Sequence, residues 1–370
     1  MNEVNQTSAP PLLEAKELTV VLGEQKVLDV PSLQVFPNEV LVVIGPNGSG
    51  KTTLLQSLAL LLKPATGTIL YRGQPAQNGS NLLQLRRRFA VVFQESLLLN
   101  ASVWSNVTLG LHLRGVEKNE AKQRAQKWLE RFGVSSLAHR QAKTLSGGES
   151  KRVSLARAFA LQPEVIFLDE PFTALDNPTR QALTEDFENV LRETRVTTVM
   201  VTHDRNESLT LSSRVAVLID GRIVQIGNPR DVFSCPVDDR VASFVEAGNH
   251  LPGVVTAQNE GLASVDMSGA QIQAVSYIAM ATKVTVCLHY EDITLLAPSS
   301  QTVPSSARNR LAGKIVKVFP LGSQVKVTVD CGFPIIALVT KRSWEDLKLE
   351  VGQTVVASFK ASSVHLIPHL

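Results

Sequence analysis

Gly45-Pro46-Asn47-Gly48-Ser49-Gly50-Lys51-Thr52-Thr53 stands between an apolar, β-branched run at 41–44 and a helix-period run at 54–62. Strand, glycine-rich loop and helix therefore occur in the order that a phosphate-binding GxxxxGK[ST] loop requires. The glycines let successive backbone N–H groups turn toward a phosphate chain, and the helix N-terminus adds positive potential. Lys51 supplies a point charge for the β and γ phosphates, and Thr52 is a candidate ligand of Mg2+. A glycine-rich turn that merely contains a lysine would lack this context on both sides.

Working outward, the apolar run Val165-Ile166-Phe167-Leu168 delivers Asp169 and Glu170 at its carboxyl end. Asp169 fits the Mg2+ shell, and Glu170 fits a residue that polarises an attacking water. Residues 12 to about 235 alternate short β-rich runs with helix-length amphipathic runs, the pattern of an α/β layer with parallel strands. Strands are predicted at 39–44, 89–93, 165–168, 197–201 and 214–219.

The same region carries Leu145-Ser146-Gly147-Gly148-Glu149, Gln94 after Val91-Val92-Phe93, Ala174-Leu175-Asp176 after the Asp-Glu pair, and His203 after Val201-Thr202. In this order they resemble the motifs of ATP-binding cassette (ABC) ATPases, of which Leu145 to Glu149 matches the signature. Locally, Ser146 and Glu149 form an S-x-x-E capping box that opens a helix running toward Leu161. The resemblance implies a head-to-tail homodimer with two ATP. The loop 45–53 of one chain would grip a nucleotide completed by Ser146, Gly147, Gly148 and Glu149 of the other. By the same resemblance Gln94 contacts Mg2+ and the membrane partner, His203 holds the γ-phosphate and the attacking water, and Asp176 links the two sites. One position departs from the pattern: Leu22, before Gly23, stands where many members carry an aromatic, and it offers adenine apolar contact without π stacking.

A helical stretch within 236–250 ends at Gly248, and beyond it the texture changes to short period-two segments. Val325, Val327 and Val329 fall on one face, with Gln324, Lys326, Thr328 and Asp330 on the other. The region 251–370 thus reads as a smaller all-β barrel. Leu251-Pro-Gly-Val-Val resembles Leu311-Ala-Gly-Lys-Ile, and Glu291-Asp-Ile-Thr-Leu-Leu resembles Ser362-Ser-Val-His-Leu-Ile. These matches suggest a duplication into 251–297 and 306–370, joined by a Pro- and Ser-rich linker at 297–306. The run Ser306-Ala307-Arg308-Asn309 and the later Lys341-Arg342-Ser343, Val351-Gly352 and Phe359-Lys360-Ala361-Ser362 resemble the molybdate-binding TOBE or Mop-like domain. A tetrahedral dianion needs several convergent N–H and O–H donors. Ser306, Arg308, Lys341, Ser343, Lys360 and Ser362 are the chemically suitable candidates.

The chain of 370 residues, 44% hydrophobic and 19% charged, has material for two or three domains and is neither disordered nor fibrous. A net charge of +3 supports neither a nucleic-acid footprint nor a polybasic anchor, and Arg86-Arg87-Arg88 reads as a solvated helix end. Three widely spaced cysteines indicate no disulfide framework and no zinc site. No apolar stretch reaches the ~18 residues of a spanning helix. Residues 1–11 are polar, without a basic-then-apolar leader, so a flexible start and no secretion are expected. The fold class is an α/β P-loop NTPase cassette at 12–235, a connecting helix at 236–250 and an OB/Mop-like barrel at 251–370. The resemblances imply an ATPase at the cytoplasmic face of a membrane. There it would energise tungstate or molybdate uptake through a separate permease fed by an external binding protein, with no nucleic-acid partner. Import of sulfate, iron or a sugar is the alternative. A DNA-repair ATPase would need a long coiled coil between Lys51 and Ser146, which the spacing excludes.

Overall fold

A computed structural model describes residues 9–76, 82–245, 248–297 and 305–369, so most of the linker at 297–306 and of the start at 1–11 lies outside the described residues. The chain divides into two compact units, Met1–Pro229 and Arg230–Leu370.

In the first unit, β1 (Leu13–Leu22) and β2 (Gln25–Val35) form a hairpin, and β3 (Val40–Ile44) leads into α1 (Lys51–Leu58). There follow β4 (Thr66–Tyr71), β5 (Gln74–Pro75), α2 (Leu82–Arg86), β6 (Phe89–Val92), α3 (Val103–Leu113) and α4 (Lys118–Arg131). The unit continues through α5 (Gly147–Ala160), β7 (Val165–Asp169), α6 (Asn177–Thr194), β8 (Thr197–Val201), α7 (Arg205–Leu211), β9 (Arg214–Ile219) and β10 (Arg222–Gly227).

One sheet has the order β10-β9-β3-β8-β7-β6, parallel except at its β10 edge. β7 and β8 are buried at every position, which is why they read as unbroken apolar runs: strands covered on both faces have no polar side to alternate with. The other sheet, β2-β1-β4-β5, is antiparallel. Leu54, Leu55 and Leu58 of α1 are buried in a core drawn from strands of both sheets, including Leu13, Leu28, Leu41, Phe167 and Val199. On the helical side Trp128, Phe132, Phe159, Phe172 and Phe187 form a chain of ring contacts 4.8 to 6.0 Å between centroids that joins α4, α5 and α6.

The second unit begins at Arg230, ahead of both the connecting helix expected at 236–250 and the barrel expected at 251–370. α8 (Pro229–Ser234) buries Val232 and Phe233, and α9 (Asp239–Phe244) sets Ala242 against Cys287 and Ile367, so these helices belong with the barrel's strands rather than spanning a gap. Then come β11 (Asn249–Asn259), β12 (Leu262–Met267), β13 (Ala270–Val275), β14 (Lys283–Leu288) and β15 (Thr294–Leu296). β16 (Asn309–Leu321), β17 (Gln324–Asp330), β18 (Pro334–Thr340), α10 (Lys341–Asp346), β19 (Thr354–Phe359) and β20 (Val364–Pro368) complete the unit. Val325, Val327 and Val329 are buried and Gln324 and Asp330 exposed, as the alternation demands.

The two sheets are β13-β12-β11-β14-β20 and β18-β17-β16-β19-β15. They have the same order strand for strand, yet each takes its last strand from the other half of the sequence. Each half therefore supplies four strands of its own sheet and needs the other half for the fifth. Two buried asparagines mirror this exchange. Asn249 donates to Ile336 O (2.9 Å) and accepts from Ile336 N–H (2.7 Å), while Asn309 donates to Gln273 O (2.9 Å) and accepts from Gln273 N–H (2.6 Å). Each amide supplies one rung of ladder to the opposite half's third strand. Asn309→Ala should cost about 2 kcal/mol by leaving the Gln273 backbone pair without partners. Urea unfolding of the full chain, read by hydrogen exchange at β13 and β16, checks this, and an unchanged midpoint would refute the clamp.

Candidate nucleotide site

β3 ends against β9 so closely that a Cβ on Gly45 would lie 2.0 Å from Leu218 O, which restricts this position to glycine. Gly50, at φ 98°, is the left-handed N-cap of α1, so the helix begins at Lys51, three residues before the expected 54, and ends at Leu58 instead of 62. The first turn of α1 has no side-chain cap and no acidic residue, which leaves its leading N–H groups available to an anion. Pro46, Asn47 and Gly48 are exposed, while Ser49 is buried and its hydroxyl has no partner. Lys51 is buried, and its Nζ arches back to donate to Gly45 O and Pro46 O, both at 2.9 Å. Burial lowers its pKa, and the carboxylates of Glu170 and Asp169 oppose that shift. Thr53 follows on the half-buried side of the same turn.

Asp169 is 4% exposed and accepts from Thr52 Oγ1 at 3.1 Å. Burial raises its pKa, opposed by the Thr52 hydrogen bond and by Lys51 and Lys151, with Glu170 adding to the rise. Glu170 sits at φ 43°, a strained conformation for a residue with a Cβ, and its N–H donates to Val201 O at 2.9 Å. Its carboxylate accepts from Thr173 Oγ1 (3.0 Å) and Gln94 Nε2 (3.4 Å) and faces His203 Nδ1 at 3.3 Å. Lys51, Thr52 and Asp169 thus form one linked group, and Gln94, Glu170 and His203 another beside it.

The remaining sequence candidates lie elsewhere. Ser146 and Glu149 make the expected capping box of α5, and no hydrogen bond among the described residues joins 146–149 to the loop 45–53. Asp176 N-caps α6 by accepting from Thr179 N–H at 3.2 Å, and the Thr179 side chain first, then this backbone bond, lower its pKa. Arg86, Arg87 and Arg88 are not simply solvated: Arg86 and Arg87 hold the carbonyls of Leu60 and Leu113, and Arg88 pairs with Glu164. Leu22 is 48% exposed on the first hairpin. The six oxyanion candidates do not form one cluster within the chain. Ser306 and Arg308 precede β16, whose Asn309 pairs with Phe359, next to Lys360 and Ser362. Lys341 instead donates its N–H to Ser323 O at the far end of β16, and Ser343 is engaged in capping α10 through Thr340.

Sequence reasoning missed three groups. Lys151 is 6% exposed and donates to Gln94 O. Arg180 joins Leu175 O (3.1 Å) to Asp204 (3.5 Å). Glu207, 5% exposed, accepts from Thr202 Oγ1 at 2.5 Å. Lys151 meets a carbonyl 57 positions away, whereas Arg180 and Glu207 each have a partner five positions away, and it is their burial that the sequence leaves unmarked. A cavity of about 1000 Å3 lined by Pro37, Trp128, Pro163 and Arg195 opens at the amino ends of the parallel strands, the edge opposite Lys51, and takes no part in this site.

The ABC transporter family model matches residues 28–173, and the TOBE domain model matches 305–366. The molybdate/tungstate import ATP-binding protein WtpC of Pyrococcus horikoshii is 34% identical over 96% of this chain and 100% of its own length. The chain belongs to the ABC transporter ATPases. The spermidine/putrescine import ATP-binding protein PotA of Acetivibrio thermocellus is 34% identical over 79% of this chain and 82% of its own. Among solved structures, this ABC ATPase is similar to cbiO1 from Clostridium perfringens, part of the ABC transporter complex cbiONQ. That likeness has a TM-score of 0.56 and 30% identity over 60% of this chain and 90% of the other. It is also similar to a dimeric, post-hydrolysis cassette, MJ0796, bound to ADP and Pi, with TM-score 0.54 and 29% identity over 59% of this chain and 99% of the other.

In this ABC ATPase the buried carboxyl of Glu207, bonded to Thr202, sets a pH dependence. Burial pushes Glu207 up to about 7 from its ordinary 4.5, against the Thr202 hydrogen bond. A raised folded value contributes stability that is full below pH 4.5 and is lost as pH rises through about 7. Glu207→Gln keeps an acceptor for Thr202 without the charge. The variant's stability advantage over wild type should grow across that window by up to about 3 kcal/mol and level off above it. Thermal unfolding from pH 4 to 9 measures it, and a difference independent of pH would exclude the buried carboxyl as its source.

Proposed function

We propose that this ABC ATPase energises import of a tetrahedral oxyanion, tungstate or molybdate, through a separate membrane permease. The carrying observation is the likeness to a molybdate/tungstate import ATP-binding protein over nearly the whole chain, tail included. The likeness to spermidine/putrescine import proteins covers less of the chain and supports the engine rather than the cargo.

In this reading the loop 45–53 binds the phosphates of ATP, with Lys51 swinging from its own carbonyls to the β and γ phosphates. The orphan Ser49 hydroxyl and the uncapped first turn of α1 support an anion there. Thr52 and Asp169, already in contact through oxygen atoms, and Gln94 fit the oxygen donor set of Mg2+, which would neutralise developing charge on the phosphates. Glu170, gripped by Gln94, Thr173 and His203, is aimed to take a proton from water. Ser146, Gly147, Gly148 and Glu149 of a second copy complete the site at the open N-terminus of α5, and Asp176 links the paired sites. The dimeric cassette among the similar structures supports this arrangement. No helix of the described residues is long and apolar enough to cross a membrane. In this reading the chain works from the cytoplasmic face against a permease fed by an external binding protein, in keeping with its likeness to import ATP-binding proteins.

Glu170→Gln should lower kcat at least about 100-fold with little change in KM for ATP, and should accumulate a dimer in ATP by size-exclusion chromatography. Wild-type turnover in that variant would remove Glu170 from the chemistry. For the tail, this reading draws its oxyanion site from Ser306, Arg308, Lys360 and Ser362, supported by the pairing of Asn309 with Phe359 between them. Calorimetry of tungstate and molybdate with the full chain should show saturable heat that Arg308→Ala abolishes, and no heat with either anion would overturn a binding role for the tail.

A further inference from the structure

One face of α5 holds the main chain of the segment that follows Gln94. Lys151, Ser154 and Arg157 recur every three residues and so share a side of the helix. Lys151 Nζ donates to Gln94 O and, at 3.5 Å, to Phe93 O. Ser154 Oγ donates to Ser96 O at 3.0 Å, and Arg157 donates to Ser96 O and Leu97 O, each at 3.1 Å. All the acceptors are backbone carbonyls in a segment without helix or strand, whose polar groups the segment cannot satisfy itself. Lys151 and Ser154 are 6% and 1% exposed, so these bonds do not exchange freely with water. Asp169 and Glu170 favour the charged form of Lys151 against the burial that lowers its pKa. α5 opens at Ser146, and Gln94 reaches Glu170 at 3.4 Å.

We propose that Lys151, Ser154 and Arg157 are positioning residues forming a splint between the signature helix and Gln94, so that a displacement of the Ser146 end is carried through Gln94 to Glu170. Because the bonds are to carbonyls, the splint fixes where the Gln94 backbone lies. Lys151 does not itself touch nucleotide. The inference takes from the proposed function only that Gln94 serves the hydrolytic site.

The test is a double-mutant cycle on the full chain by steady-state ATP hydrolysis. Lys151→Met should lower kcat roughly tenfold while KM for ATP stays within about threefold, and Lys151→Arg should recover most of the loss. In a Gln94→Ala background the same Lys151→Met change should cost less than about twofold, because the residue it positions is gone. Should Lys151→Met not fold, Ser154→Ala goes through the same cycle with a smaller expected effect of the same pattern. Wild-type kcat in Lys151→Met, or losses that multiply in the double variant, would overturn the splint. A Gln94→Ala enzyme with unchanged kcat would instead overturn the role of Gln94, and the splint with it.

Discussion

The parallel hydrogen-bond register of β3, β6, β7, β8 and β9 brings the carboxyl ends of these strands to one edge of a sheet. Each strand end then delivers a different chemical group: the loop 45–53 after β3, Thr202 and His203 after β8, Asp169 and Glu170 after β7, and Gln94 after β6. Their spatial order follows the strand order β3-β8-β7-β6 and not the order of the sequence. Without that register, residues more than a hundred positions apart would have no reason to meet. The tight contact of Gly45 with Leu218 belongs to the same constraint, since it sets how closely the loop can leave the sheet.

The edge concentrates charge where water is scarce. Lys51, Lys151 and Asp169 are all buried, and each would be costly alone. Their pKa values move against the charged form by burial and are drawn back by one another. Lys51 rests on two carbonyls and Asp169 on a threonine hydroxyl, and in the proposed function these contacts would give way to the oxygens of a polyanion and a hard cation.

The barrel unit follows a different logic. Each of its sheets is finished by a strand from the other half, and the reciprocal amides of Asn249 and Asn309 bond across the same division. Its shared core, with Val286, Val327 and Phe359 in one cluster, makes the halves interdependent in folding. The split of the oxyanion candidates to opposite ends of β16 comes instead from the antiparallel order within the second half, since β18 and α10 run back toward the hairpin while β19 returns to the strand's beginning.

The amino-acid sequence by itself determined the phosphate loop, the Asp-Glu pair after an apolar strand, the capping box at Ser146 and the alternation at 325–329. Each is written in contiguous residues whose conformation is governed by neighbours a few positions away. It also carried the kinship of the two barrel segments, because the matching stretches are each local. Only tertiary structure decided that the barrel unit begins near 230, that the halves trade strands, that Arg86 and Arg87 hold carbonyls, and that Lys151 and Glu207 sit beside the site. Those facts depend on which strands pair and which faces are covered, and pairing over long separations is fixed by the burial of the whole core, a quantity that no short window of sequence contains.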